Sequence, residues 1–203
     1  MTEYRSIDPA AEKLFEVTLQ RFAGQLEMKK LDTGTGLRLL AKFDDLKKYK
    51  GLYLHKVTEL KGKSGSVVLM LLEKLQTIVV QRRNGRHEQE VEEMEPVLVF
   101  SLPHDMGRAF IRRESMADKL TDLITQIDID FEQYPQFSRN YHVVGEQPEL
   151  VRKFMPTRLM EALERAEDIT VEINGNWALL RTEKNLSEEV LLLLIESSYK
   201  MTK

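Results

Sequence analysis

Two acidic residues separated by one position, Asp128-Ile129-Asp130, are the arrangement in this sequence with the clearest capacity for chemistry. If Ile127, Ile129 and Phe131 mark a buried strand face, the two carboxylates share the other face, about 7 Å apart at the strand period of two. Such a pair can hold a divalent cation. The same spacing also serves glycosyl-transfer enzymes that bind a metal–nucleotide, but those need a nucleotide-binding α/β pattern that this chain lacks. The plainer alternative is a solvated strand face. The four histidines, His55, His87, His104 and His142, never stand three or four residues apart, so no local metal pair exists. A surface position or a single hydrogen bond accounts for each of them. Only convergence in the fold of His55 and His142, both in predicted strands, with Asp128 and Asp130 would assemble a catalytic or metal site.

Other motifs carry less. Gly62-Lys63-Ser64 echoes the end of a phosphate-binding loop, but Lys56-Val57 stand where its upstream glycine belongs, and a β-rich run follows in place of a helix. No serine has the Gly-x-Ser-x-Gly setting of a nucleophile elbow. Lys42, Lys47, Lys48, Lys50, Lys56, Lys61 and Lys63 form the densest basic region, interleaved by Tyr49 and Tyr53. It could contact an anionic membrane surface or nucleic acid, or be an ordinary solvated surface offset by the acidic stretch 88–95. Four aromatics, Phe131, Tyr134, Phe137 and Tyr141, fall within eleven residues. Half of them are expected in the core, and the rest would offer a contact patch.

The 203 residues carry 30 Lys+Arg against 33 Asp+Glu, a formal charge of −3, which argues against a dedicated nucleic-acid binder. The absence of cysteine excludes disulfides, cysteine-ligated zinc and thiol catalysis. Hydrophobic residues at 42% are enough for a core. The longest apolar runs, 67–72 and 190–195, are far short of the about 20 residues a bilayer span requires, and the N-terminus has no apolar signal region. The expectation is a soluble cytoplasmic domain, associated with a membrane only if the chain is part of a longer tethered protein.

The elements that must position these residues follow from patterning. Asp8-Pro9 opens a helix whose stripe Phe15, Leu19, Phe22 and Leu26 predicts an extent of about 8–29, peripheral to the remainder. Asp32 to Gly36 reads as a flexible link. Residues 52–60 and 67–80 read as strands, the second with a bulge near Glu73-Lys74. Asn84-Gly85 predicts a tight hairpin with Arg83 opposite Arg86 and Ile78 opposite Val91. Pro96 in the returning strand indicates an edge or a bulge. A short helix over 116–124, strands over 127–131 and 141–144, helices opened by Pro148 and Pro156, a hairpin at Asn174-Gly175-Asn176 and a helix after Ser187 complete the order. Hairpins without strand–helix–strand alternation predict a single α+β domain over 1–203. Its antiparallel sheet is built from hairpins, with helices packed on one face.

Four stretches carry a resemblance: Val57-Thr-Glu-Leu-Lys-Gly62 with Gly65-Ser-Val-Val68; Gln76-Thr-Ile-Val-Val80; Val97-Leu-Val-Phe-Ser-Leu-Pro103 before Phe110; and Ile129-Asp-Phe131, Phe137-Ser-Arg-Asn-Tyr141, Val143, Val151-Arg152, Phe154-Met-Pro-Thr157 and Leu159. Over roughly 43–181 this order resembles a family of bacterial proteins of unknown function, many of them membrane-tethered by helices ahead of a soluble domain. The resemblance brings no catalytic residues and no cofactor.

No constellation in the sequence meets the geometric needs of catalysis. The leading expectation is therefore a non-catalytic binding or interaction module with an as yet unidentified protein partner. The alternatives are an enzyme whose site is assembled from scattered Asp and His, and a peripheral module for anionic membranes or nucleic acid. No cofactor and no structural metal is expected. Thermal melts with and without a strong chelator should coincide; a drop of several degrees on chelation would restore Asp128 and Asp130 as ligands.

Overall fold

Residues 67–72, Val-Val-Leu-Met-Leu-Leu, place apolar side chains on both faces of one strand, and a strand of that kind must be covered on both sides. The computed structural model of the chain describes residues 6–63, 65–82, 85–113, 128–164, 169–182 and 184–202, and it shows both covers. The helix expected over 116–124 and residues 83, 84 and 127 lie outside the described residues. So does the side chain of His87.

Along the chain come α1 (Pro9–Gln20), β1 (Glu27–Lys30), α2 (Thr33–Leu40), a 3-10 turn (Asp45–Lys48), β2 (Gly51–Lys61), β3 (Ser66–Arg82), β4 (Gly85–Ser101) and β5 (Arg108–Arg113). After these stand α3 (Pro135–Asn140), β6 (Tyr141–Gly145), α4 (Pro148–Phe154), α5 (Thr157–Glu164), β7 (Ile169–Asn174), β8 (Trp177–Thr182) and α6 (Glu188–Thr202). The eight strands of the described residues form one open antiparallel sheet in the order β1-β2-β3-β4-β8-β7-β5-β6. The fold is α+β.

On the first face, Leu69 and Leu71 of β3, Leu98 and Phe100 of β4, Ile111 of β5 and Leu180 of β8 pack with Phe15 and Leu19 of α1 and with Leu191, Leu194 and Ile195 of α6. The three aromatics Phe131, Phe137 and Tyr141 also lie in this core, so the aromatic cluster is mostly interior. Only Tyr134 is partly exposed, and it donates to Thr157 Oγ1 at 3.2 Å. On the second face, the alternate residues Met70, Leu72, Val97, Val99 and Leu179 meet a smaller layer of Leu40, Phe43 and Leu46 from α2 and the 3-10 turn.

Several sequence expectations are corrected. The first helix stops at Gln20, and Leu26 still reaches the core through turns that run past Gly24. Residues 27–30 are a strand because β2, about thirty residues away, offers them an edge, and no local pattern announces that pairing. Asp32 to Gly36 is a capped helix start: the Asp32 carboxylate accepts from Thr35 N at 2.8 Å and Thr35 Oγ1 at 2.7 Å. The bulge lies in β2 at His55. At the long hairpin Arg82 pairs with Gly85, so Ile78 faces Gln89 and every expected partner moves by two. Pro96 stands just outside the stretch, Leu98 to Ser101, in which β4 also pairs with β8, and this is where its missing N–H does no harm. Residues 128–131 are not a strand, although Ile129 and Phe131 are buried.

Gly36 is required by packing. A Cβ there would stand 2.5 Å from Leu54 Cδ2 and 2.8 Å from Val57 Cγ2, so only glycine lets α2 lie this close to β2. Gly36→Ala should lower the unfolding free energy by about 1–3 kcal/mol. Gly24→Ala, with nothing within 4 Å of the new Cβ, should leave it nearly unchanged. Urea denaturation of both variants tests this, and equal effects would show that the close approach is not limiting.

Candidate functional site

The scattered Asp and His residues do not converge. His55, at the bulge of β2, lies with Nε2 2.8 Å from Glu73 Oε2, and both side chains are nearly buried. His142, on β6, lies with Nδ1 3.0 Å from Asp128 Oδ2. Five strands stand between β2 and β6, about 29 Å at the usual strand spacing. Asp128 also accepts from Val143 N at 2.9 Å, while Ile129 N donates to Val143 O at 2.8 Å. Its carboxylate thus pins residues 128–131 against the outer edge of β6. Asp130 is exposed and does not join it on a common strand face. His104 stacks on Phe154 with ring centroids 4.3 Å apart. Among the described residues no group of three or more acidic and histidine side chains could hold a metal.

The lysine-rich region resolves into separate ion pairs. Lys47 pairs with Asp44, Lys48 with Asp45, Lys50 with Glu90, Lys56 with Glu12 and Glu16, and Lys61 with Glu27. Lys42 lies over the Trp177 ring, 5.2 Å from its centroid, and Lys63 is exposed. Lys56 points to α1 on the first face, whereas Lys47 and Lys50 rim the second. The seven lysines therefore form no single basic surface.

The structure instead assembles a buried charge cluster that sequence reasoning missed. Lys74, Glu95 and Arg181 each prolong an apolar strand with a charge on the second face. Arg181 donates from Nε to Glu95 Oε1 at 2.7 Å and from Nη2 to Glu95 Oε2 at 2.9 Å, a bidentate pair. It reaches Asp45 through Nη1 and the Tyr49 hydroxyl through Nη2 at 2.6 Å. Lys74 Nζ stands 3.1 Å from both Glu95 Oε2 and Glu93 Oε2. Burial opposes the Arg181 charge, yet Glu95 and Asp45 outweigh it and hold the guanidinium pKa above its ordinary value. Next to the cluster, Glu172 accepts the backbone N–H of Asp44 at 2.8 Å and of Asp45 at 3.0 Å. Burial pushes the Glu172 carboxyl up, Asp45 and Asp44 add to that, and the two N–H bonds oppose it. A charge at the end of each of three apolar strand runs was the signal available in the sequence.

These ties fix residues 42–50 over the sheet and leave a cleft of about 520 Å³ beside them, floored by Leu40, Phe43, Leu46 and Leu52 and walled by Tyr49, Tyr53, Lys47 and Lys50. At its edge the β3–β4 hairpin leaves the sheet. β2 pairs with β3 only as far as Leu75, and β8 meets β4 only from Leu98, so among the described residues 76–82 and 85–91 form an arm of two strands paired with each other alone. The arm carries the largest exposed apolar side chains of its strands, Ile78 at 38% and Val79 at 61%. Lys50 ties its base to Glu90.

Arg181→Met leaves Glu95 buried with a partner removed and should lower the unfolding free energy by about 3–5 kcal/mol. Arg181→Met combined with Glu95→Leu should recover a large part of that loss. Urea unfolding of the two single variants and the double variant measures the coupling, and strictly additive losses would show that the pair is not energetically linked.

No family model and no curated protein matches the chain. Among solved structures it is similar in fold to the crystal structure of the mycobacterial trehalose monomycolate transport factor A, TtfA, with a TM-score of 0.51 and 8% sequence identity, covering 96% of this chain and 94% of that one.

Proposed function

We propose that this chain is a non-catalytic interaction module that binds a protein partner along the β3–β4 arm, with the cleft at the arm's base as a second contact. The observation that carries the reading is the arm itself. Residues 76–82 and 85–91 pair only with each other, and a lone two-stranded ribbon is only marginally stable in water. The two edges of the arm differ. The β3 edge, Gln76-Thr-Ile-Val-Val-Gln81, is uncharged and β-branched, while β4 carries Glu88 and Glu90. An uncharged open edge accepts an added strand, and an acidic one repels most of them. The partner class is thus a protein that supplies an extended, uncharged segment to β3.

The absence of convergence among His55, His142, Asp128 and Asp130 removes the main support for an enzyme reading, and the ion pairing of five of the seven lysines weakens a polyanion reading. The comparison contributes fold alone: a protein described as a transport factor carries this architecture. Within this reading the module acts in the cytoplasm.

A photo-crosslinking residue placed at Thr77 or Gln81 in producing cells should give one discrete adduct. Ile78→Lys together with Val79→Glu should abolish it while the melting temperature stays within a few degrees of the parent's. An adduct that survives those changes, or none from any arm position, would overturn the reading.

A further inference from the structure

Two buried arginines of the sheet have opposite surroundings. Arg181, 6% exposed, has every guanidinium nitrogen bonded, to Glu95, Asp45 or Tyr49. Arg112, 7% exposed, has Nε and Nη1 fully buried, with no hydrogen-bond partner for either among the described residues. An ionised group withdrawn from water without a partner is costly, and buried charges in folded proteins are paired or ligated. Arginine cannot escape by losing its proton, because its pKa lies above about 12. An anion supplied from outside the chain would pair it.

The position of Arg112 supplies a second donor beside it. Arg112 stands on β5 directly across from His142 on β6, so the two side chains share the second face of the sheet with Cβ atoms about 5 Å apart. His142 Nδ1 stands 3.0 Å from Asp128 Oδ2, so with its Nδ1–H given to that carboxylate the ring offers Nε2 as a donor only when it carries both protons. The described second layer reaches Glu172 and Arg108 and leaves the C-terminal half of β5 beyond it, with Phe110 and His142 partly exposed. Two guanidinium N–H groups, joined by Nε2–H in the doubly protonated ring, match an anion with several acceptor oxygens. A carboxylate has two, and a phosphate monoester has three.

We propose that Arg112 and His142 form a binding site for a phosphate group, carried by a small soluble ligand or by a lipid headgroup. This site lies at the far end of the sheet from the arm and stands independently of the docking reading.

The test compares the parent chain with Arg112→Met in melts containing phosphate or chloride at equal ionic strength. Phosphate stabilises folded proteins in general, so the readout is the difference between the two chains. The parent should gain several degrees more than the variant, and calorimetric titration with inorganic phosphate should show affinity reduced about tenfold or more in the variant. In chloride alone Arg112→Met should melt no lower than the parent, since it removes an unpaired buried charge. A lower melt in chloride would show that Arg112 is paired within the chain, and equal phosphate responses would show that no site exists; either result overturns the proposal. If Arg112→Met does not fold, Arg112→Lys, which keeps the charge and loses the planar fork, should show the same loss of phosphate response. Vesicles with phosphatidic acid, set against phosphatidylcholine alone, separate the sources. Arg112-dependent co-sedimentation assigns a lipid headgroup, and binding of glycerol 3-phosphate without vesicle binding assigns a soluble ligand. Failure of every arm refutes the site and leaves the arm's crosslinking result untouched.

Discussion

The bidentate pair of Arg181 with Glu95 is the contact on which the second face of the sheet depends. That face is apolar along β3, β4 and β8 and must be covered, yet among the described residues its cover is one eight-residue helix and a single 3-10 turn. So small a layer buries too little apolar surface to hold itself in place. The sheet compensates with directed polar contacts. Arg181 reaches out of its pair to Asp45 and Tyr49, Glu172 takes two backbone N–H groups of the turn, and Asn174 donates to Lys42 O at 2.6 Å. A charge cluster of this kind is stable only when complete, because each member left alone would be an uncompensated buried ion.

With residues 42–50 held in this way, the surfaces that remain available are set by what the ties leave uncovered. The cleft survives because the tied loop stands over the sheet without filling the space above Leu52. The arm survives because β3 and β4 are 17 residues each, longer than either neighbouring strand. Two histidines have carboxylate partners close by: His55 pairs with Glu73 at the bulge, and His142 with Asp128 beside β6. The same sheet thus holds one arginine, Arg181, with every guanidinium nitrogen bonded, and another, Arg112, whose Nε and Nη1 have no hydrogen-bond partner among the described residues.

Much of the α+β architecture was legible locally. The alternation of β2, the Asn-Gly turn that returns β7 into β8, the prolines opening α4 and α5, and the Asp8-Pro9 start of α1 all have causes within a few residues of the element they produce. The misreadings share one cause. β1, the register of the long hairpin, the coil at 128–131 and the capped start of α2 depend on partners or packing that no short window contains.

By itself, then, the sequence determined element types, the two-faced apolar strand at 67–72, the exclusion of cysteine chemistry, and the hairpin order that makes an antiparallel sheet. The physical reason is that propensity, capping and turn geometry act over a few residues. Only the tertiary structure decided that Lys74, Glu95, Asp45 and Arg181, spread over 137 positions of the chain, would meet in one buried cluster, and that Asp128 would meet His142 but never His55. Charge pairing acts in space over a few ångströms, and which charges come that close is set by strand order, a property no local pattern encodes.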